Sequence, residues 1–464
     1  MLRWFGPIIT LALGYGLYFL HAALPIGTGF AARYLCTAVF EQGEDARTIF
    51  EREVAPEHPL FAMTTYEIDA TNRAVEAHSI LGLGAMKAVH RRGFGCTLLV
   101  EQSADGLREQ VKGAKALPSA KENLISGLKR AKDARWNHLL ETYIAEPSST
   151  SLRNTKAILV SHRGELLAEG YGEGITADTP LLGWSMTKSV LGVLVGATVA
   201  QGRTSLNETG FIDKWKNDGD PRKEITVRDL LEMRSGLVFS EVYGPLKDAT
   251  DMLYGSHSFS QFAADKPLEH RPGEHWKYSS GTSNILSWLV FKRVGVTAAE
   301  IRDWMWETLF EPLGMKTAFI ETDPSGVFVG SSYMYASGLD WLRMGQFYIG
   351  DGTVGDHIIL NKDWLSESIK PVATAPLGEY GFQVWLNAGA KDKPENRLYP
   401  KLPPEFVFFR GHNDQLVAML PQDDLVVVRL GATLDDSWDT EQFLLDVLAL
   451  IQTTPQSEGS ESQK

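Results

Sequence analysis

"GWSMTKSV", residues 183–190, opens a run of the chain with almost no charge. Between Thr179 and Gly202 the only charged side chain is that of Lys188, which follows Ser185 by about one helical turn. The free N–H groups and the positive dipole end of a helix N-terminus favour a developing anion at Ser185. Apolar neighbours disfavour the ammonium form of Lys188, so that its amine can take the serine proton. The stretch therefore predicts a nucleophilic serine activated by a lysine.

A second Ser-x-x-Lys, at Ser126 and Lys129, shows that the spacing alone is not specific. That copy lies among charged residues, and a lone lysine in an apolar helix can also extend its ammonium to solvent. The copy at Ser185 differs because its lysine has apolar neighbours and because a strand hairpin and a short loop precede it. These surroundings favour Ser185 as the nucleophile.

Segments with strand character lie at both ends of the main part of the chain. "TKAILVSHRGELLAEGY", residues 155–171, predicts a hairpin, and strands return over residues 380–432. Helical periodicity covers residues 124–146 and much of the region between these strands. The pattern predicts an α/β fold with one sheet built from both ends of the chain and an inserted all-helical region.

Three motifs together resemble those of the serine β-lactamase and penicillin-binding protein superfamily. "LLGWSMTKSVLGVLVG" at 181–196 is similar to the first motif, "PGEHWKYSSGTSNILSWL" at 272–289 to the second and "RGHNDQLVAMLPQDDLVVVRLG" at 410–431 to the third. The closest resemblance is to the class C-like esterase and amidase branch, which includes the 6-aminohexanoate-dimer hydrolases, and it covers roughly residues 125–450. It implies a DD-peptidase/β-lactamase-like fold, with a mainly antiparallel sheet flanked by helices.

The resemblance also implies roles for individual residues. Ser185 is the nucleophile, Lys188 its base, and Tyr278 stands in the place of the catalytic tyrosine that moves a proton to the leaving group. The oxyanion hole would consist of the Ser185 N–H and one further N–H from residues 412–415.

The sequence departs from the family pattern at two places. Ser280 replaces the asparagine of the usual Tyr-x-Asn, and His412–Asn413–Asp414 replaces the usual Lys-Thr-Gly. The missing lysine removes a positive charge that would hold a substrate carboxylate, and Asp414 adds a negative one. We therefore expect a neutral or amine-bearing amide or ester as substrate rather than a penicillin.

The predicted substrate-binding residues lie in these motifs and in one loop. "FSEVYGPLKDATDMLYG" resembles the mobile substrate loop of the family, and its Tyr243 is either an amide-contacting tyrosine or an ordinary surface tyrosine. The full set is Tyr243, Ser280, His412, Asn413, Asp414 and Gln415.

The N-terminus has no Asp, Glu, Lys or Arg between Arg3 and Arg33. That run is long enough to span a hydrocarbon core of roughly 30 Å. It is an uncleaved inner-membrane anchor, a cleaved signal or a buried core helix, and we favour the anchor. The positive end stays in the cytoplasm, so the body would lie in the periplasm or another extracytoplasmic space.

The chain has two cysteines, Cys36 and Cys96. In an oxidising compartment they can pair, whereas in a reducing one they are two buried thiols. Neither has another Cys or a His at metal-ligand spacing, which argues against zinc.

The net charge of −13 argues against binding to nucleic acid, whose phosphates require a basic surface. The predicted organisation has five parts. They are a membrane anchor or signal segment at 1–30, a small N-terminal segment at 31–102, a linker at 103–124, a β-lactamase-like serine hydrolase domain at 125–455 and a disordered tail at 456–464.

Two functions are compatible with these observations. The first is an extracytoplasmic hydrolase that cleaves a small amide or ester through an acyl-serine and needs no metal or organic cofactor. The second is a non-catalytic, membrane-anchored module that binds cell-wall peptides. A lipase-type enzyme would need a Gly-x-Ser-x-Gly sequence, which does not occur.

Overall fold

A computed structural model of the chain describes residues 5–59, 61–79, 82–116, 129–130, 133–149 and 151–453. The helices are α1 Phe5–Thr37, α2 Ala46–Ile49, α3 Ala104–Glu109, α4 Ala134–Ile144, α5 Met186–Ala200, α6 Val227–Leu231, α7 Asp248–Gly255, α8 Phe259–Ala264, α9 Ser280–Val294, α10 Ala298–Met305, α11 Gly338–Tyr348, α12 Trp364–Ser368 and α13 Thr440–Thr453. The strands are β1 Thr65–Asp69, β2 Ala74–His78, β3 Met86–Arg91, β4 Gly95–Leu98, β5 Lys129–Arg130, β6 Thr155–His162, β7 Glu165–Tyr171, β8 Leu181–Leu182, β9 Phe319–Ile320, β10 Met334–Ala336, β11 Thr353–Val354, β12 His357–Ile358, β13 Trp385–Leu386, β14 Val407–Gly411, β15 Gln415–Leu420 and β16 Leu425–Gly431.

The main sheet has the strand order β13-β14-β15-β16-β6-β7-β5 among the described residues. Neighbouring strands run antiparallel, except that β5 runs parallel to β7. β16, near the end of the chain, pairs with β6 so that Val427 lies opposite Val160. The predicted fold class is therefore confirmed: the sheet is built from both ends of the chain, and helices lie between them.

Helices cover both faces of this sheet. On one face, α5 and α11 pack against side chains such as Leu159 and Val426. On the other face, α4 and α13 pack against Ile158 and Val427. Successive side chains of a strand point to opposite faces, so burial of both faces explains the uninterrupted apolar runs at 157–160 in β6 and at 425–428 in β16.

α5 is a core helix, and it begins directly after Ser185. Its residues from Met186 to Thr198 are all buried. It packs against α9 and against the main sheet, and a helix that is apolar on every side is typical of such a position. This packing explains the uncharged run of sequence, and it leaves the nitrogen of Lys188 buried, where it needs polar partners.

α1 and the sheet β1-β2-β3-β4 form a layer that packs against α7 and the small sheet β8-β10-β9. A disulfide joins Cys36 of α1 to Cys96 of β4. The two cysteines are 60 residues apart in sequence. Closing a loop of this length stabilises the fold by about 4 kcal/mol on the loop-entropy relation.

Buried polar contacts fix this layer to the rest of the protein. Arg33 donates a hydrogen bond of 2.6 Å to the Glu321 carboxylate, and both side chains are buried. The Thr37 hydroxyl and the Cys96 N–H donate to the other carboxylate oxygen. Because Glu321 binds three separate positions of the layer, the layer is part of the core of the protein.

α1 continues past the predicted boundary at residue 30 and is largely buried from Ala23 onward. One segment of the described residues, Tyr18–Gln42, has the length and composition to cross a membrane, and 72% of its apolar window is buried inside the protein. The second half of the apolar run therefore packs as a core helix. For the part before Ala23, an anchor or signal segment stays a prediction.

The predicted linker at 103–124 contains α3, and its last residues from 117 onward lie outside the described ones. Ser126 and the tail at 456–464 lie outside them as well. The helix predicted over residues 124–146 is wrong at residues 129–130, which form β5, and α4 begins at Ala134; residues 124–128 and 131–132 lie outside the described ones. Asp133 caps α4 by accepting a hydrogen bond from the Arg135 N–H.

Candidate active site

Ser185 lies at the N-cap position of α5, and Lys188 lies one turn later. The Nζ of Lys188 is 3.0 Å from the Oγ of Ser185. It also donates to the Oγ of Ser280 at 3.0 Å and to the backbone carbonyl of Ser331 at 2.9 Å. The lysine is only 1% exposed, so its nitrogen is held by these three oxygens and has little contact with bulk water.

The turn before Ser185 has an unusual backbone. Trp184 is buried and has a φ of 47°, a left-handed conformation that a bulky residue rarely adopts. A Cβ on Gly183 would lie 2.3 Å from the Trp341 ring, so only glycine fits before it. Strain of this kind occurs at functional sites, where the surrounding structure holds it. Here it turns the chain sharply, so that Ser185 is partly accessible at the start of a buried helix.

Tyr278 lies next to the lysine, as the sequence predicts, with its ring face towards it. The Nζ of Lys188 is 4.7 Å from the centre of the Tyr278 ring. The ring is held by Tyr380 and Trp385, whose centroids lie 5.8 Å and 5.1 Å away. Tyr278 therefore forms one wall of the site, within reach of Lys188.

Ser280 is fully buried and makes hydrogen bonds on both sides. Its Oγ accepts from Lys188 and donates to the Oε1 of Glu241, and its backbone N–H donates to the Oε2 of Glu241 at 2.7 Å. These contacts give a continuous chain from Glu241 through Ser280 and Lys188 to Ser185. The sequence predicts Ser280 as a substrate-binding residue, but its hydroxyl is occupied by the lysine and the glutamate.

The third motif forms the tip of the hairpin between β14 and β15. Asn413 and Asp414 both have positive φ, 58° and 60°, which closes a tight turn. A Cβ on Gly411 would lie 2.2 Å from the Gly183 carbonyl oxygen, so the hairpin approaches the serine turn closely. The structure thus brings the third motif next to the first.

Gln415, one of the predicted substrate-binding residues, makes its hydrogen bonds within the hairpin region. The Gln415 amide is buried, where it donates to the carbonyls of His412 and Asn413 and accepts from the Gly431 N–H. It therefore fixes the shape of the hairpin.

Asp414 lines an open groove together with Asp435 and Asp436. Burial raises the pKa of the Asp414 carboxyl, and the charges of Arg429 and Arg410 oppose this rise only in part. The groove also includes Glu57, His412 and Asn413, so the Asp414 carboxylate lies among other acidic side chains.

His412 lies between three neighbours at the entrance of the site. Its ring contacts Trp184 edge-on at 5.5 Å and is stacked with Tyr243 at 5.7 Å. Its Nε2 is 3.3 Å from the carboxylate of Glu57, which also accepts 2.9 Å from the Asn413 amide. Burial disfavours the Glu57 carboxylate, but these hydrogen bonds and the His412 charge outweigh it and lower the pKa of Glu57.

Tyr243 is 42% exposed, and its hydroxyl lies beside Ser280. Desolvation and the negative charge of Glu241 hold the pKa of Tyr243 well above its usual range, so the phenol is neutral. Of the two sequence readings, the one that puts Tyr243 at the site fits its position.

Sequence reasoning missed Glu241, Glu57 and the Ser331 carbonyl. Glu241 lies two residues before Tyr243 in the quoted loop, so attention to every carboxylate in that loop would find it. Glu57 lies far from the three motifs, and Ser331 contributes a backbone group that any residue has. Among the described residues, no group of three or more His, Cys, Asp or Glu side chains is arranged to hold a metal ion.

The chain is similar to known proteins in sequence and in fold. A family model described as "Beta-lactamase" matches residues 142–444. A 6-aminohexanoate-dimer hydrolase of Paenarthrobacter ureafaciens is 22% identical over 244 residues, a match that covers 49% of this chain and 60% of that enzyme.

Two solved structures share the fold. A Bacillus anthracis protein assigned as a 6-aminohexanoate-dimer hydrolase gives a TM-score of 0.54 at 16% identity, over 77% of this chain and 98% of its own. An octameric penicillin-binding protein homologue from Pyrococcus abyssi gives a TM-score of 0.53 at 19% identity, over 69% of this chain and 77% of its own.

Proposed function

Because the chain belongs to the β-lactamase family and is an enzyme of the serine hydrolase type, we propose that it cleaves an amide or ester through an acyl-enzyme on Ser185. One observation carries this proposal: the Nζ of the buried Lys188 lies 3.0 Å from the Ser185 hydroxyl. A base at hydrogen-bond distance from the proton it removes is the first requirement of such a site.

The first step is the attack of Ser185 on the substrate carbonyl. Its Oγ forms a bond to the carbonyl carbon, and Lys188 takes the hydroxyl proton. The oxyanion that forms is stabilised by the Ser185 N–H, at the positive end of the α5 dipole, and by an N–H from residues 412–415. Tyr278 passes this proton from Lys188 to the leaving amine or alcohol. The leaving group then departs, and the acyl group remains on Ser185.

Hydrolysis of the acyl-enzyme repeats these steps with water. Water attacks the acyl carbon, its proton returns through the same groups, and Ser185 leaves as a restored hydroxyl. Glu241 accepts hydrogen bonds from Ser280, which keeps the Ser280 oxygen turned towards Lys188. We assign Ser280 and Glu241 to positioning of the lysine.

We further propose that the enzyme works outside the cytoplasm, attached by the part of its N-terminus that precedes Ala23. Support comes from the Cys36–Cys96 disulfide, because such bonds persist in oxidising compartments, and from the uncharged sequence of that part.

A fluorophosphonate probe and a chromogenic acetyl ester test the proposal on the full chain. We expect the wild type to be labelled and to release the chromophore, and Ser185→Ala to do neither. The control is Ser366→Ala, a change of the same type at an exposed serine, which should behave as the wild type.

Two results would contradict the proposal. Equal labelling of Ser185→Ala would show that another residue is the nucleophile. Labelling of the wild type without any turnover of esters, amides or peptides would favour a module that binds cell-wall peptides.

A further inference from the structure

A cavity of about 280 Å³ lies between α1 and the entrance of the site. This volume is close to the lower limit for small-molecule sites. Most of its wall is apolar and comes from α1, from the turn around residue 61 and from α7. The main contributors are Ala23, Leu24, Ile26, Phe30, Phe61 and Tyr254.

One end of the cavity is formed by residues of the candidate active site. Glu57, His412 and Tyr243 line it there, together with Trp184. Trp184 is the residue directly before Ser185, and the Tyr243 hydroxyl lies beside Ser280. The cavity therefore connects the surroundings of the candidate nucleophile with the apolar side chains of α1. Single hydroxyl side chains, among them Thr28 and Thr250, interrupt the apolar wall.

α1 extends from this cavity towards the N-terminus. The residues that line the cavity begin at Ala23, and the helix starts 18 residues earlier at Phe5. At 1.5 Å per residue this part is about 27 Å long, close to the thickness of a hydrocarbon core. If it spans a bilayer, the apolar side of the cavity lies at the membrane surface.

We propose that this cavity binds an unbranched aliphatic acyl chain, so that the substrate is an ester or amide of a medium-length or longer fatty acid. The proposal rests on the acyl-serine mechanism. In the proposed complex, the substrate carbonyl lies at Ser185, and the acyl chain extends past Trp184 towards α1. A charged group at the far end of the acyl chain would lose its hydration against Ile26, Phe30 and Phe61.

A series of p-nitrophenyl esters from acetyl to octanoyl tests the proposal. The full-length protein is placed in phospholipid nanodiscs, so that no detergent competes for the cavity. For the wild type, kcat/KM should rise about fourfold for each methylene buried, which corresponds to about 0.8 kcal/mol. A flat or falling series would overturn the proposal.

Variants of α1 show whether the cavity is responsible. Ala23→Phe places a large ring in the cavity from a residue that is 4% exposed, and it should lower the octanoyl-to-acetyl ratio of kcat/KM at least about tenfold. The control is Leu20→Phe, on the same helix but 44% exposed and outside the cavity wall, which should keep the wild-type ratio. Equal ratios for the two variants would overturn the proposal.

A second variant covers the case in which Ala23→Phe does not fold. Ile26→Ala enlarges the apolar side of the cavity, and it should move the preferred chain length upward by about one or two carbons. No change in the preferred length would contradict the proposal.

The failure of this inference can be separated from that of the proposed mechanism. Suppose that the wild type turns over the acetyl ester, that Ser185→Ala does not, and that kcat/KM does not rise with the length of the acyl chain. This result would overturn the inference and leave the proposed mechanism intact. If no ester is turned over, calorimetric binding of octanoate to Ser185→Ala decides: binding that Ala23→Phe weakens supports the cavity, and no binding overturns it.

The acyl chain of the substrate can reach the cavity from the bilayer or from water. Methylumbelliferyl oleate in vesicles distinguishes these sources. Turnover that requires the ester and the protein in the same vesicle indicates the bilayer, and equal turnover from separate vesicles indicates water.

Discussion

In the proposed mechanism, Lys188 is the residue on which the chemistry of the site depends. Its nitrogen has three oxygen neighbours, and one of them, the Ser280 hydroxyl, is shared with Glu241. Hydrogen bonds to charged groups in a site with little water are stronger than those in solvent, and they hold the groups in one geometry. The lysine is thus aimed at Ser185 by a residue, Glu241, that does not touch it.

Removing the Glu241 charge should therefore slow the enzyme. We expect Glu241→Gln to lower kcat on the acetyl ester by about tenfold to a hundredfold, the loss that follows when a charge-assisted hydrogen bond is removed. Because Glu241 acts through Ser280 and the lysine, the loss should fall on kcat and leave the KM of the acetyl ester unchanged.

The split between kcat and KM separates this role from a structural one. A variant that only loosens the loop would also displace Tyr243 and raise KM, and that result would contradict the assignment. Glu269→Gln, which removes an exposed carboxylate paired with Lys277, is the matched control and should leave both quantities unchanged.

Among single residues, the sequence predicts Ser185 and Lys188, because a serine and a lysine one turn apart in an uncharged run are visible as a pattern. It predicts Tyr278 only through the resemblance of its motif to the family. Glu241 and the Ser331 carbonyl are not visible in that way. Their contacts with the lysine depend on how two distant segments pack around α5, and a backbone carbonyl has no signature in the residue type.

Among the elements, α1 shows where reasoning from sequence ends. Its length and hydropathy are the same whether it crosses a membrane or lies in a core, so they leave both interpretations open. The difference depends on its partners: Arg33 is matched by Glu321, almost three hundred residues later in the chain. The hairpin of β6 and β7 and the return of β14 to β16 could be predicted, because local alternation and turn residues determine them.

The short turn Ala55–Glu57 connects the N-terminal layer to the catalytic hairpin through Glu57. The pKa of Glu57 is lowered in the folded protein, so its carboxylate stabilises the fold above its ordinary pKa of 4.5. This contribution is lost as the pH falls through the lowered value.

Glu57→Gln should therefore loosen the region from residue 55 to residue 64 at pH 7. We expect hydrogen exchange there to be about fivefold faster than in the wild type, which corresponds to about 1 kcal/mol, and the difference to vanish well below pH 4.5. Glu51→Gln, at an exposed carboxylate nearby, is the control and should leave this exchange unchanged. A difference that persists at acidic pH would show that charge is not the cause.

For the whole molecule, the N-terminal layer and the hydrolase part form one folded body. The layer supplies the partners of Glu321 and covers apolar side chains such as Phe319, Val329 and Tyr335. The motifs do not reveal this, because all three of them lie in the hydrolase part. A separable hydrolase domain that starts at residue 125 would expose that surface.

We therefore expect a variant that lacks residues 1–124 to be aggregated or inactive. Removing Arg33 leaves the buried Glu321 unpaired, a loss of about 3–5 kcal/mol that is a large share of the stability of a typical protein. A chain without residues 1–17 is the control and should remain folded with a normal circular dichroism spectrum and melting curve. A monomeric, active product from the longer truncation would contradict this prediction.

The pairing of β6 with β16 has a consequence for synthesis. At about 5–20 residues per second, the ribosome needs tens of seconds to go from His162 to Leu425. During that time one edge of β6, with its apolar run at 157–160, has no neighbour, and such an edge readily pairs with other chains. We therefore expect the nascent chain to be most prone to aggregation before β16 has emerged.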